Sequence, residues 1–192
     1  MTPFTVHSIE TAPQASRHLL EATRQAWGFV PHVHGVLAES PVALEAYDRL
    51  YGLVARSSLS PAERQVAFLA SSAFHQCEYC TAAHTYLARA AKVDEGVVQA
   101  LRGGAPAPDA RLEALRSFTE SVARERGFVG EARVEAFLSA GFTRENVLEV
   151  IAIVATKTIS NYANHIAATP KEGFMADPLL AWTAPRNRGS EA

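Results

Sequence analysis

The chain has 192 residues, a formal net charge of −2, and apolar and charged shares of 48% and 20%, which are typical of a globular protein with one sizeable core. This near-neutral balance excludes the strongly basic surface that nucleic-acid binding or attachment to an anionic membrane requires. No stretch approaches the roughly 20 apolar residues of a membrane-spanning helix, and no basic start followed by an apolar run opens the chain. We therefore predict a cytoplasmic protein with neither a nucleic-acid nor a membrane partner.

Helical patterns follow one another along almost the whole chain. Alanine is frequent, and glycine and proline stand mostly at the edges of periodic segments. Ser40 and Ser60 each precede a proline, an arrangement in which serine caps a helix and proline occupies its first position. The predicted helices cover about residues 13–27, 34–38, 41–56, 61–74, 80–92, 94–103, 109–126, 131–140 and 143–168. Alternating strand patterns are absent from the sequence, so we predict an all-α fold.

An internal repeat organises these helices into two similar halves within a single domain, 1–192. Residues 65–83 align without a gap with residues 149–167, and the alignment places Cys80 over Asn164. The two repeats and the tail are expected at about 40–103, 109–168 and 170–192. A duplication of this kind predicts two helical halves that pack with pseudo-two-fold symmetry, with thiols in the first half only.

The residues capable of redox chemistry lie together between His75 and His84. If this segment is helical, Cys77, Cys80 and His84 share an arc of about 60°. An imidazole one turn from a thiol can remove its proton or protonate a leaving group, and Cys77 lies close enough to trap an oxidised Cys80 as a disulfide. The alternatives are a zinc site that includes His75, although this side chain projects away from the other three, and inert packing of the cysteines.

Residues 59–65 (LSPAERQ) and 77–84 (CEYCTAAH) resemble the carboxymuconolactone decarboxylase family, in particular its alkyl hydroperoxidase D-like, peroxidase-related branch. Residues 140–167 resemble the second half of the two-repeat members of that family. The resemblance implies an alkyl hydroperoxidase D-like helical bundle, a homo-oligomer and thiol-dependent peroxide reduction.

The resemblance also implies a role for each residue of the motif. The thiol matching Cys80 attacks the peroxide, the thiol matching Cys77 resolves the product as a disulfide, and the imidazole matching His84 belongs to a proton relay. Where the family has a glutamate this chain has Gln65, and because an amide cannot accept a proton, the relay is predicted to be broken. Glu149, which aligns with Gln65 in the second half, is the candidate replacement for the missing base.

We therefore predict a peroxidase-related thiol oxidoreductase with a small hydroperoxide as substrate and a dithiol protein as reductant, without metal or other cofactor. The alternative is a carboxymuconolactone decarboxylase-like enzyme or a non-redox, ligand-binding member of the family. The homo-oligomer has further support in the apolar residues of the tail, which need a groove to cover them. These tail residues are Phe174, Met175, Leu179, Leu180 and Trp182.

Overall fold

A computed structural model describes residues 4–185, so residues 1–3 and the last part of the predicted tail, 186–192, lie outside the described residues. Within 4–185 the chain forms nine α-helices and one short 3₁₀ helix, with no strand, and the predicted all-α fold is confirmed. None of these helices is long and apolar enough to cross a membrane. The helices are α1 (Gln14–Trp27), α2 (His32–Leu37), α3 (Pro41–Val54), α4 (Pro61–Phe74), α5 (Glu78–Ala90), α6 (Glu95–Gly103), α7 (Ala110–Arg124), α8 (Glu131–Ser139) and α9 (Arg144–Ala167), and the 3₁₀ helix is Gly173–Ala176.

The predicted capping residues begin the helices that frame the candidate site. Ser60 accepts a hydrogen bond from the backbone N–H of Glu63, and the Glu63 carboxylate accepts one from the backbone N–H of Ser60. Ser40 caps α3 in the same way as Ser60 caps α4, through its side-chain oxygen. Thr143 forms a reciprocal pair with Asn146 at the start of α9. These caps satisfy backbone donors that would otherwise lack partners, and so fix where each helix begins.

A break separates α4 from α5 immediately before the first cysteine. Gln76 adopts a left-handed backbone conformation with φ 56°, which no helix can continue through. The backbone N–H of Cys77 then bonds back to the carbonyl of Ser72 at 3.0 Å, and Cys77 becomes the N-cap residue of α5. The two thiols therefore lie at the positive end of a new helix, and His75 belongs to the end of the preceding one.

Two hydrophobic clusters hold the helices together, and α9 runs along both. The larger cluster joins α4 to α6–α9 and contains a stack of Phe118, Phe137 and Phe142, whose neighbouring ring centroids are 4.3 Å apart. The smaller cluster joins α1, α2, α3 and α5 to the tail and includes both cysteines. The thiols thus belong to a core and lie away from the outer surface.

The tail, whose apolar residues were expected to need a groove, folds back in part on its own chain. Arg102 donates hydrogen bonds to the carbonyls of Leu180 and Ala181, and its own carbonyl accepts one from Trp182 Nε1 at 2.9 Å. Met175 and Leu180 are buried within the same chain. Part of the tail is therefore covered by its own chain, while Phe174 and Leu179 remain 43% and 65% exposed, so the oligomer stays a prediction.

Candidate active site

Cys77 and Cys80 are free thiols, 1% and 3% exposed, at the start of α5. The side-chain amide of Asn164 on α9 points Nδ2 at both sulphurs, 3.2 Å from Cys80 Sγ and 3.8 Å from Cys77 Sγ. Ser160 Oγ, one turn earlier on α9, lies 3.9 Å from Cys80 Sγ. The first half of the chain thus supplies the thiols, and the second half supplies the polar groups that surround them.

Lys157 places a positive charge in this site, although its side chain is only 1% exposed. Lysine is almost never fully buried unless a partner compensates its charge. Burial raises the pKa of Cys80, but a hydrogen bond from Cys77, the charge of Lys157 and further hydrogen bonds with Lys157 and Ser160 lower it below its ordinary value overall. The thiol of Cys80 therefore ionises more readily than an ordinary cysteine, and its anionic form balances the charge of Lys157.

The pKa of Cys77 is shifted in the opposite direction to that of Cys80. Its hydrogen bond to Cys80, its burial and the negative charge of Cys80 all raise the pKa of Cys77 above the ordinary thiol value. The pKa values of the two thiols are therefore shifted in opposite directions, so Cys80 ionises more readily than Cys77.

His84 contacts Lys157, while its predicted partner was the Cys80 thiol. The Nδ1 atom of His84 lies 3.0 Å from Gln65 Oε1, and its Nε2 atom lies 3.0 Å from Lys157 Nζ. Because an amide oxygen and an ammonium group can only accept and donate respectively, Nδ1 carries the proton and Nε2 accepts from the lysine. Burial and the charge of Lys157 lower the pKa of His84 well below 6.5, so the ring is neutral.

Aromatic rings and a tyrosine hydroxyl hold this neutral imidazole in place. Phe68 stacks on His84 with ring centroids 4.8 Å apart and planes 15° from parallel, and Tyr51 stacks on the other side of Phe68 at 5.3 Å. Burial raises the pKa of Tyr51 to about 12, against the opposite effect of its hydrogen bond with Gln65. Tyr51, Gln65 and His84 thus form a chain of uncharged groups that ends at Lys157.

The structure does not bring Glu149, the candidate replacement base, together with the thiols. Its carboxylate accepts hydrogen bonds from the backbone N–H and the hydroxyl of Ser58, at 2.6 and 2.8 Å, and from Asn146 Nδ2 at 3.0 Å. These contacts tie the start of α9 to the connection between α3 and α4. Glu149 thus joins two helices at a distance from the redox pair.

The structure does not bring together the residues that the alternative of a zinc site requires. His75 lies edge-on to the ring of Tyr162, with centroids 5.4 Å apart, because the break at Gln76 separates it from the thiols. No group of three or more histidine, cysteine or acidic side chains is arranged to hold a metal ion within residues 4–185.

A cavity of about 560 Å³ leads to Cys80, His84 and Lys157. Its walls are largely aromatic, and Glu172 and Asp177 are the carboxylates among them. The aromatic residues that line it are Trp27, Phe29, Tyr47, Tyr51, Tyr79, Tyr86 and Phe174. The volume and lining suit an uncharged organic molecule of moderate size.

The tail closes one wall of this cavity through Glu172, which no sequence pattern singled out. Glu172 Oε1 accepts hydrogen bonds from the hydroxyl of Tyr79 at 2.8 Å and from the backbone N–H of His32 at 2.6 Å. The Tyr79 side chain, between the two cysteines, is thereby fixed against the start of α2. The cavity wall is therefore built from three distant parts of the chain.

Sequence reasoning also missed Lys157, although a signal was available. Lys157, Ser160, Asn161 and Asn164 occupy positions i, i+3, i+4 and i+7 in the second half of α9. Such spacing places them on one face of α9, and a polar face on a buried helix needs polar partners. The repeat alignment drew attention to the asparagines but not to the lysine in the same stripe.

Comparisons with known proteins agree with the fold and with the family resemblance. Residues 41–121 match the carboxymuconolactone decarboxylase family. The structure resembles an alkylhydroperoxidase AhpD core, a peroxidase-related protein from Ralstonia eutropha JMP134, with a TM-score of 0.76, 25% identity, and coverage of 90% of this chain and 93% of that one. No curated protein sequence matches this chain.

Two further solved structures share the fold. A peroxidase-related protein from Silicibacter sp. TM1040 gives a TM-score of 0.75 at 22% identity and covers 93% of this chain and 98% of that one. A cysteine-to-alanine variant of the debrominase Bmp8, in complex with 2,3,4-tribromopyrrole, gives a TM-score of 0.72 at 18% identity and covers 90% of this chain and 93% of that one.

The chain is thus an all-helical protein of the alkyl hydroperoxidase D-like fold. Its residues 41–121 carry the match to the carboxymuconolactone decarboxylase family, and its fold is similar to that of the AhpD core. The debrominase shows that this fold supports more than one reaction.

Proposed function

We propose that this protein is a thiol oxidoreductase that reduces organic hydroperoxides through Cys80 and Cys77. The observation that carries the proposal is the buried pair of Lys157 and Cys80 at the end of an aromatic cavity. A buried thiolate beside a fixed cation is a nucleophile that is ionised before the substrate arrives.

In the first step the Cys80 thiolate attacks the terminal oxygen of the hydroperoxide. The S–O bond forms, the O–O bond breaks, and Cys80 becomes a sulfenic acid while the alkoxide leaves. Lys157 donates a proton to this alkoxide, so that an alcohol is released. Its hydrogen bond to the neutral His84 holds the ammonium group in position until this proton is transferred.

In the second step the Cys77 thiol condenses with the sulfenic acid. The S–S bond forms, and the hydroxyl group of Cys80 leaves with the Cys77 proton as water. Asn164 supports this step because its amide contacts both sulphurs. A dithiol protein then reduces the disulfide, and the proton that it supplies restores Lys157 beside the Cys80 thiolate.

This mechanism replaces the broken relay that the sequence predicted. Gln65 does occupy the relay position, and it holds His84 with Nε2 free to accept a hydrogen bond. Lys157 then performs the proton donation for which a carboxylate and a histidine were expected. The amide is consistent with this arrangement because a neutral imidazole accepts from the ammonium group, whereas an imidazolium would repel it.

The cavity indicates the class of hydroperoxide. Aromatic walls favour a bulky apolar substrate, and Glu172 and Asp177 repel a negatively charged one. The same two carboxylates oppose the alternative of a carboxymuconolactone decarboxylase-like reaction, whose substrate carries carboxylate groups. Cumene hydroperoxide, which is aromatic and uncharged, is therefore the probe of choice.

A thiol count tests the proposal directly. The reduced protein is mixed with one equivalent of cumene hydroperoxide under anaerobic conditions, and free thiols are titrated before and after. We expect the loss of both thiols, the appearance of one equivalent of alcohol, and full recovery on addition of dithiothreitol. Unchanged thiols in the presence of intact hydroperoxide would favour a non-redox, ligand-binding protein.

A second candidate is the thiol-dependent removal of a halogen from an aromatic ring. The aromatic walls of the cavity favour it, together with the structural likeness to a debrominase that binds 2,3,4-tribromopyrrole. Here the Cys80 thiolate takes the bromine, Lys157 protonates the ring carbon, and Cys77 displaces bromide as the disulfide forms. Bromide release from tribromopyrrole, at a rate above that of cumene hydroperoxide reduction, would favour this reaction over the first.

We also propose that the protein forms a homo-oligomer, with the outward face of α9 in the interface. This face exposes an apolar stripe on a helix whose other side lines the thiol site. Its members and their exposed fractions are Leu148 (67%), Ile151 (47%), Tyr162 (49%) and Ile166 (69%). Light scattering at micromolar concentration should exceed the monomer mass of 20.7 kDa, and Ile166→Glu should lower the measured mass. A monomer before the substitution would contradict this proposal.

A further inference from the structure

We propose that the reductant reaches the disulfide through a second cleft and attacks Cys77, whereas the peroxide reaches Cys80 through the aromatic cavity. This inference rests on the proposed function and adds to it the surface that the dithiol partner uses. It concerns the opening through which the reductant reaches the disulfide and returns both cysteines to the thiol state.

The two thiols line different openings. The aromatic cavity is lined by Cys80 and not by Cys77, while a cleft of about 350 Å³ is lined by Cys77 and not by Cys80. Tyr79, between the two cysteines in sequence, contributes to both walls and separates the openings. Once a disulfide has formed, each of its sulphurs is therefore approached from its own side.

The lining of the second cleft differs in chemistry from that of the first. Gln76, His165 and Thr169 are polar, and the Glu78 and Lys171 side chains form an ion pair of 2.7 Å beside Cys77. Thr169 Oγ1 is buried and has no hydrogen-bond partner among residues 4–185, so it can bond to a visiting chain. An apolar peroxide prefers the aromatic cavity, and a slim polar arm that carries a dithiol fits the cleft.

The chemistry of the exchange favours the same sulphur as the geometry. A thiolate of the reductant that attacks Cys77 forms a mixed disulfide there, and the bond between Cys77 and Cys80 breaks with its electron pair on Cys80. Lys157 and Asn164 stabilise this departing thiolate, and a stabilised thiolate leaves faster. Attack on Cys80 would instead expel Cys77, whose sulphur lies farther from the Asn164 amide, at 3.8 Å against 3.2 Å for Cys80. The second thiol of the reductant then attacks the mixed disulfide and releases Cys77 reduced.

Mapping the mixed disulfide tests the proposal without any peroxide. The Cys77–Cys80 disulfide is formed with diamide, treated briefly with 2-mercaptoethanol, quenched with acid and alkylated with N-ethylmaleimide. A protease that cuts after glutamate separates the two cysteines at Glu78. We expect the mercaptoethanol adduct on Cys77 and the maleimide on Cys80, and the reverse labelling would overturn the proposal. Because diamide forms the disulfide, the result stands even if the protein reduces no peroxide.

A pair of bulky substitutions tests the two openings separately. His165 is exposed and lines only the second cleft, and Ala83 lines only the aromatic cavity. His165→Trp should slow reduction of the diamide-formed disulfide by dithiothreitol about tenfold and leave its formation by cumene hydroperoxide unchanged. Ala83→Phe should instead slow formation of the disulfide by cumene hydroperoxide and leave its reduction by dithiothreitol unchanged. If Ala83→Phe is the variant that slows reduction, or if neither variant does, the reductant does not use the second cleft.

Discussion

The segments 65–83 and 149–167 align in sequence, but they build different structures. The first is divided at Gln76, whose left-handed backbone ends α4 and allows Cys77 to begin α5. The second runs without interruption through α9. The divided segment places two thiols at a helix start, and the continuous one presents Lys157 and Asn164 to them on a single face.

This difference explains how two similar segments came to have complementary roles. A helix start offers unpaired N–H groups and a positive dipole, which suit a thiolate. A continuous helix offers rigid spacing, which keeps an ammonium group and an amide two turns apart and directed at the same pair of sulphurs. The proposed redox pair therefore needs both segments, and substitutions in either segment should change the reactivity of Cys80.

The largest effect is expected from removing the nucleophile in the divided segment. Cys80→Ser should reduce the rate of cumene hydroperoxide consumption about 10³-fold or more, because a hydroxyl is a poor nucleophile at neutral pH. Cys77→Ser is the matched control, and should complete one turnover and leave a sulfenic acid that dimedone labels. Consumption at the parent rate by both variants would contradict the thiol mechanism.

The next effect should come from the continuous segment. Lys157→Met removes the buried charge and should slow the single-turnover reaction at pH 7 about 10²-fold. The thiolate of Cys80, whose pKa lies below its ordinary 9.0, forms as pH rises and is lost as pH falls through its folded pKa. In the variant this loss should occur at higher pH, which the ultraviolet absorbance of the thiolate measures.

Lys92→Met provides the control for Lys157→Met because Lys92 is exposed and belongs to no part of the site. It should leave both the rate and the thiolate titration unchanged. An unshifted titration in Lys157→Met, with helicity retained by circular dichroism, would show that the thiolate does not depend on this cation.

A smaller effect is expected where the divided segment holds the imidazole. Gln65→Glu should favour protonation of His84, and an imidazolium cannot accept the hydrogen bond from Lys157. The rate should fall about tenfold, and the pKa of Cys80 should rise as the lysine loses its anchor. Gln14→Glu, at the exposed start of α1, adds the same charge elsewhere and should change neither. A faster reaction in Gln65→Glu would contradict this expectation and support the relay of a carboxylate and a histidine that the family resemblance implies.

The smallest effect on activity is expected at Glu149, which aligns with Gln65. Glu149→Gln should leave peroxide reduction unchanged, because the carboxylate bonds to Ser58 and Asn146 and does not contact the thiols. The free energy of unfolding should fall by about 1 kcal/mol, since an amide replaces a charged acceptor of three hydrogen bonds. Urea denaturation measures this loss, and a slower peroxide reaction at unchanged stability would assign Glu149 to the mechanism.

Much of the fold was predictable because local signals agree with it. Ser40, Ser60 and Thr143 cap helices that begin where the sequence indicates, and the apolar spacing of α7 and α9 is helical throughout. The 3₁₀ turn at Gly173–Ala176 and the return of the tail to α6 were not predictable. Both depend on contacts with residues far away in the sequence, such as the bonds from Arg102 to Leu180 and Ala181.

The site was predictable only as far as its residues are neighbours in the chain. Cys77, Cys80 and His84 belong to one short motif, and their assignment came from that motif. Lys157 enters the site from another helix and displaces the direct contact between His84 and Cys80 that their spacing predicted. Spacing along one helix reports which side chains share a face, but it carries no information about what a second helix places between them.

Cys80 lies on α5, whereas Lys157 and Asn164, which act on its sulphur, lie on α9, and this separation has a consequence during protein synthesis. The ribosome makes α5 well before α9, so the emerging chain holds both cysteines while Lys157 and Asn164 do not yet exist. In that state Cys80 is an ordinary thiol, mostly protonated and slow to react with oxidants. On the proposed mechanism, the docking of α9 is therefore the folding step at which the pKa of Cys80 falls and its reactivity with peroxide rises.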